Sequence, residues 1–570
     1  MTHTNSNTPW SIADLLQGNP SLLTDPEFLI AKFWESDPMG NCIPFHKKNA
    51  VHHFVVEFLP YFGFHKYRNG NTGNCIIIQQ NGKRVRIIGN DYDRQSALEI
   101  FEWFQDQVMY LRSILGEGKD GIPHGFEREV FINADLFTSK TLSFLPKKSQ
   151  GESFAPLRDS LDTAFLPFRN GIISINSHDD PKIVPWSDFP ENIFVWDKEV
   201  LDYDFQFSDQ PTGVFWEFLT RLAWEESEGT WKSNPLQQDC ITSAIGYLCH
   251  NYKIPDQRPC VILYDRSTLY RNGGNGKSRL CEALEYVRPV HEISGKHLKR
   301  GDNQFSWSGY TPEKRIALIQ DIVPNFEFDS LYNQIEDSFT IEEKGRNKIV
   351  IPRDQSPKLI ITTNHTVDNQ GWSDARRQHL VPIGTFFGTH DRLYGRKIKD
   401  IIGKLLYHDW TNSDWIEFYN VIVYCLQSYL STGLTEFKDV VYQDCQMLDS
   451  ANGNEELLIT VKEFIQDAVD NHEGVTNRIL LENALDTPEL DSINSSWKGT
   501  WQTRVFKRVA DAMGFQINPG RRSARWQRDY QGQMTDFYEL KLKTDTPPIP
   551  DNLFVSPPAN TMKLIRRIKL

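Results

Sequence analysis

The residues best suited to chemistry lie between Asn272 and Arg377. Asn272–Ser278 reads Asn-Gly-Gly-Asn-Gly-Lys-Ser. Glycines let a backbone wrap close to phosphate oxygens. A helix opening at Lys277 and Ser278 would turn free N–H groups and a positive dipole end toward an anion. Gly273, Gly274, Asn275, Gly276, Lys277 and Ser278 are therefore expected to cradle the phosphates of ATP. Lys277 would reach the β- and γ-phosphates, and the Ser278 hydroxyl would hold Mg2+. One position departs from the usual loop: six residues before the lysine, where glycine is expected, stands Arg271.

Such a loop needs partners from other strands. Ile316–Ile319 is an apolar run followed by Gln320 and Asp321, and Asp321 is the candidate for the Mg2+ shell. Leu359–Ile361 is a second run, followed by Thr362, Thr363 and Asn364, with Asn364 the candidate to orient an attacking water. Arg376 and Arg377 are candidates to reach a neighbouring protomer's γ-phosphate. Gln320 is the weak point, because a neutral amide takes up no proton at useful pH and so is no general base. Glu327, Asp329 and Glu342 are the alternatives for that role, and the choice among them stays open.

The elements that must position these groups follow from patterning. Cys260–Tyr264 reads as a buried strand, and a helix is expected from Lys277 through Leu284. Strand–loop–helix patterns from 258 to about 385 predict an α/β core, a parallel sheet flanked by helices. Residues 212–252 read as helices, and helices are expected again to about 433. Upstream, 74–89 reads as a hairpin around Asn81-Gly82, and Ala164–Ile175 as another turning at an Asn-Gly. The run 93–115 spaces Leu98, Phe101, Phe104 and Val108 as one helical face. Asp91-Tyr92-Asp93 fits a strand, turn and helix cap better than a metal motif. The divisions expected are an α+β N-terminal region (1–210), a helical collar (211–255), the ATPase core (256–435), a small winged-helix-like domain (436–545) and a Pro-rich spacer with a basic tail (546–570).

Composition sets limits. The 570 residues are too many for one ordinary core. Hydrophobic residues at 39% and charged residues at 24% are normal for a globular chain. A net charge of −13 argues against nucleic acid coating the whole surface, but leaves room for a basic channel. The polar start shows no signal peptide, and no apolar run is long enough to cross a bilayer. None of the eight cysteines forms a C-x-x-C pair, which points to reduced thiols in a cytosol-like compartment. Cys42, His46, His52 and His53 fit no zinc-finger spacing.

Taken together, "GGNGKS", "IALIQD", "SPKLIITTNH" and "DARR" resemble motifs A, B, C and the arginine finger of superfamily 3 helicases, which are AAA+-like. The nearest group is the phage and plasmid primase-helicases related to the poxvirus primase-helicase. The segment 341–355 resembles their B-prime hairpin, which would carry Lys344, Arg346 and Lys348 to a single-strand backbone. Relatives commonly have two adjacent acids where this chain has Gln320-Asp321. The resemblance spans about 160–435 and implies a ring-forming replicative DNA helicase of a virus, phage or mobile element. It would be a homo-oligomer, hexameric by expectation, using ATP and Mg2+ in the host cytoplasm. Its substrate would be single-stranded or forked DNA, with RNA the lesser alternative, and a primase or polymerase its implied partner. Rival readings are a non-unwinding initiator or packaging-type AAA+ ATPase, and a weakly hydrolysing nucleic-acid-binding scaffold. Toward the C-terminus, Arg521, Arg522 and Arg525 interleave with aromatics as nucleic-acid contacts would.

Overall fold

The structure, a computed structural model, describes residues 9–18, 54–68, 75–90, 94–107 and 138–442, with several short strands outside these ranges. Within 138–442 it leaves out 150–153, 228–229, 255–257, 267–273, 299–305, 312, 324–325, 343–348, 368–375, 389–395 and 440–441.

Five strands form the sheet that matters here: β1 (Cys260–Asp265), β2 (Val290–Ser294), β3 (Ile316–Gln320), β4 (Lys358–Thr363) and β5 (Gln378–Ile383). Their order across the sheet is β2-β3-β4-β1-β5, and every pairing is parallel. β1 and β4 are buried at every position, as central strands covered on both faces must be. Val261 and Leu263 pack with helices α1 (Gly213–Arg221), α2 (Pro235–Cys249), α3 (Lys277–Glu285) and α4 (Asn412–Thr432). Cys260 and Ile262 face the other way, against Trp307, Tyr310, Phe328 and Phe339. This is the two-residue period of a strand. The α/β reading of this region therefore holds.

From β1 the chain skips two strands to reach β2 at the edge. It returns through β3 and β4, then passes β1 to reach β5. Neighbouring strands β4 and β1 thus send their connections in opposite directions. Open α/β sheets bind ligands at the carboxyl ends of strands beside such a point.

The segment expected as a separate collar shares this core. α1 and α2 bury Phe218, Leu222, Ile241 and Ile245 with the sheet and with α4. The hairpin Thr163–Phe168/Gly171–Asn176 joins them, with Phe168 edge-on to Tyr419 of α4. Asp159 ties this hairpin to the core, accepting from the Phe165 and Asn251 N–H groups and from Arg288.

Three local expectations need correction. The region read as helical contains an antiparallel hairpin, Trp224–Ser227 with Thr230–Ser233. Trp224 and Trp231 both pack on Phe386, and that burial outweighs local helix preference. The helix Arg94–Asp106 buries Ala97, Ile100, Trp103 and Phe104 while Leu98 is exposed; Trp103 sets the inward face by packing on Phe64 and donating to the Trp10 carbonyl. Both hairpins form, but each turn is displaced by one residue. Asn81 pairs with Arg84, leaving Gly82-Lys83 as the loop, and Phe168 pairs with Gly171, leaving Arg169-Asn170.

The upstream region contributes a six-stranded mixed sheet built from strands within 64–90, 147–156 and 193–196. Near the C-terminus, Asn477–Leu480, Phe515–Ile517 and Arg525–Arg528 each pair antiparallel with Met534–Leu542. The helical part of the winged-helix expectation lies largely outside the described residues. Among the described residues no helix is long and apolar enough to cross a membrane, and no cluster of potential metal ligands occurs.

Candidate functional site at the carboxyl edge of the sheet

β1 ends at Asp265, the loop returns at Gly274, and α3 begins at Lys277. Gly276 sits at φ +104° as the residue before α3, a conformation that favours glycine. It lies so close to α1 that an added Cβ would stand 2.9 Å from a Leu222 methyl and 3.1 Å from the Phe218 ring. The start of α3 is thereby packed closely against the C-terminal end of α1.

Lys277 is buried, with its side chain 7% exposed. Its ammonium donates to Asn364 Oδ1 at 2.8 Å and forms an ion pair with Asp265. Lys277 and Asn364 are 87 residues apart in the chain. Their meeting follows from the sheet, because Tyr264 of β1 is in register with Thr363 of β4. The side chain of Asp265 is fully buried. Neighbouring Tyr264 and Arg266 both donate to Asp439, at 2.6 Å and 2.9 Å, and Arg266 also pairs with Glu225. The backbone around Asp265 is thus held from two sides.

β3 ends on the far side of β4, where Gln320 is half-buried and Asp321 exposed. Asp321 adopts φ +53°, a left-handed conformation that aspartate tolerates better than most residues but that still carries strain. Two bonds to one residue of β4 hold it there. The Asp321 N–H donates to Thr362 Oγ1 at 3.1 Å, and the Ile322 N–H to the Thr362 carbonyl at 3.3 Å. Gly295 allows close approach on the other flank, since a Cβ there would fall 2.8 Å from the Gln320 carbonyl. Lys277, Asn364 and Asp321 therefore line one edge, with Asn364, the residue after β4, between the other two.

Two features bear on whether a triphosphate fits this edge. Asn275 is buried within the loop, and its Nδ2 has no acceptor among the described residues, a donor such as an anion would satisfy. Ser278 is exposed on the first turn of α3. Both suit Mg2+ with a phosphate group.

The arginines lie elsewhere. β1 and β5 are in register from Cys260 with Gln378 to Asp265 with Ile383, so Arg376 and Arg377 precede the amino end of β5. At about 3.3 Å per residue they stand on the order of 20 Å from Asp265. Arg377 is buried over the Tyr332 ring and bonded to Glu336, while its carbonyl accepts the Cys260 N–H at 2.8 Å. Arg376 is largely exposed, with Glu336 at 2.8 Å. Neither reaches the phosphate loop of its own chain.

The hairpin expected between motifs B and C forms, Phe339–Ile341 pairing with Ile349–Ile351. Lys344, Arg346 and Lys348, expected at its tip, lie outside the described residues, as do Gly273, Arg521, Arg522 and the side chain of Arg525. Of the alternative acids, Glu327 and Asp329 are exposed beside the short helical turn Phe328–Leu331, and Glu342 follows the first hairpin strand.

Two participants escaped the sequence reading. Asp265 is the counter-ion of Lys277, yet one acid after an apolar strand forms no motif. Thr362 holds the Asp321 turn, and only the adjacency of β3 and β4 reveals it.

No family model and no curated protein matches the chain. Two solved structures described as the apo A form of the NrS-1 C-terminal region are similar to it. One is 12% identical with a TM-score of 0.33, covering 85% of this chain and 98% of that one. The other is 11% identical with a TM-score of 0.32, covering 86% and 100%. Likeness at this level carries no inference about activity.

Proposed function

We propose that the chain is an ATP- and Mg2+-dependent, ring-forming replicative DNA helicase of the superfamily 3, AAA+-like kind, encoded by a virus, phage or mobile element and working in the host cytoplasm. The observation that supports it best is the convergence of Lys277, Asn364 and Asp321 at one edge of a parallel sheet, in the strand order β2-β3-β4-β1-β5. Lys277 and the N–H groups of the loop and α3 bind the phosphates. Ser278 and Asp321 would hold the metal. Mg2+ would neutralise charge on the phosphates of ATP, whose terminal phosphoanhydride is the bond hydrolysed to drive translocation. Asn364, just past the end of the intervening strand, would position water for attack on the terminal phosphate. Arg376, exposed at the opposite edge, suits action on a neighbour's site in a head-to-tail ring, whereas Arg377 braces its own chain. Lys344, Arg346 and Lys348 are proposed to grip the single strand, and Arg521, Arg522 and Arg525 to contact the duplex or fork.

Gln320 favours a second reading, a scaffold that binds ATP and turns it over slowly. ATP turnover with and without single-stranded DNA separates the two. The helicase reading expects turnover that DNA stimulates and that Lys277→Ala abolishes. Turnover indifferent to both would sink it, and binding without turnover would favour the scaffold.

A further inference from the structure

Lys277 arrives at the site already paired with Asp265. We propose that Asp265 is a positioning residue that competes with phosphate for Lys277, so that it sets nucleotide affinity and makes binding depend on a divalent cation. This inference rests on the nucleotide-binding reading above.

The geometry supports it in three ways. The Asp265 side chain is fully buried, and its carboxylate has no hydrogen-bond partner among the described residues besides its ion pair with Lys277. Arg266, the adjacent cation, is turned away onto Glu225 and Asp439. Asp439 also holds Tyr264, so the backbone on both sides of Asp265 is fixed. When Lys277 swings to a phosphate, Asp265 cannot follow it. A buried carboxylate is then left without its counter-charge beside an incoming polyanion, a costly arrangement. A divalent cation on the phosphates lessens that repulsion. Nucleotide without metal meets it in full.

The test titrates the full-length protein with a fluorescent methylanthraniloyl-ATP, once with Mg2+ and once with EDTA. Asp265→Asn removes the charge and keeps the shape. It should bind roughly tenfold tighter or more in EDTA, with a smaller gain in Mg2+, so that the ratio of the two affinities falls. Asp265→Glu keeps the charge and should retain the wild-type ratio. The nucleotide-free Asp265→Asn protein should melt below wild type and be raised further by nucleotide. Asp265→Ser carries the same expectation if the asparagine variant does not fold.

A merely structural role would weaken binding equally in both buffers. Equal or weaker binding by the charge-free variants, with an unchanged metal ratio, would overturn the inference. The nucleotide-binding reading would survive that result if wild type binds and Lys277→Ala does not. If wild type binds no nucleotide in either buffer, that reading fails first and the inference falls with it.

Discussion

Gly276→Ala is the substitution whose cost is most directly worked out. Gly276 lies at φ +104°, where an L side chain carries backbone strain of about 1–3 kcal/mol. The new methyl would also stand 2.9 Å from Leu222 Cδ2 and 3.1 Å from Phe218. Leu222 is a side-chain end and can give, so the backbone term dominates. The loop relieves it by rotating Gly276, which moves the first turn of α3 and Lys277 with it. A loss of about 2 kcal/mol corresponds to roughly thirtyfold weaker ATP binding. The assay is titration with fluorescent ATP in Mg2+, beside a thermal melt. Two other glycines serve as controls. Gly274→Ala carries similar strain at φ +85° but among the described residues meets only Gly388 Cα at 3.8 Å, and should cost about tenfold or less. Gly309→Ala, at φ +81° with no described atom within 4 Å and outside the loop, should destabilise without changing affinity. Binding by Gly276→Ala that matches Gly309→Ala would refute the reasoning.

Gln320→Glu restores a second acid at the end of β3 and should raise ATP turnover by about tenfold or more, while Gln320→Ala should not; equal rates would remove Gln320 as the limiting feature. Arg376→Ala should lower turnover in the assembled protein by about a hundredfold or more. Mixing it with Lys277→Ala should recover part of the activity, since each variant supplies what its neighbour lacks; absence of recovery argues against a site shared between protomers. Burial lowers the pKa of His379 to about 4, below its ordinary value, so the unfolded chain binds more protons in the window between 6.5 and 4. Stability should therefore fall as pH drops through that window, by up to about 3 kcal/mol from this residue. His379→Gln should flatten that part of the pH–stability curve, and an unchanged slope would assign the acid sensitivity to other groups.

The sheet was legible because its strands are short, apolar and punctuated by polar residues. Cys260–Tyr264, Ile316–Ile319 and Leu359–Ile361 all became strands, and Lys277 opened the helix expected of it. Strand order was not legible, because nothing local says that β4 lies between β1 and β3. That one adjacency decides that Asn364 touches Lys277 and that Thr362 holds Asp321. The two arginines looked equivalent in the chain, yet one is stacked on Tyr332 and the other is exposed; the difference lies in tertiary packing. The hairpin at Trp224–Ser233 was hidden for a similar reason, since its stability comes from Phe386, distant in sequence.

The most direct test of the account is strand displacement on a forked DNA duplex by the full-length protein, with ATP and Mg2+. The account predicts unwinding that requires hydrolysable ATP and is lost in both Lys277→Ala and Asp321→Ala. Nucleotide binding without any unwinding, under conditions where the protein engages the fork, would contradict it.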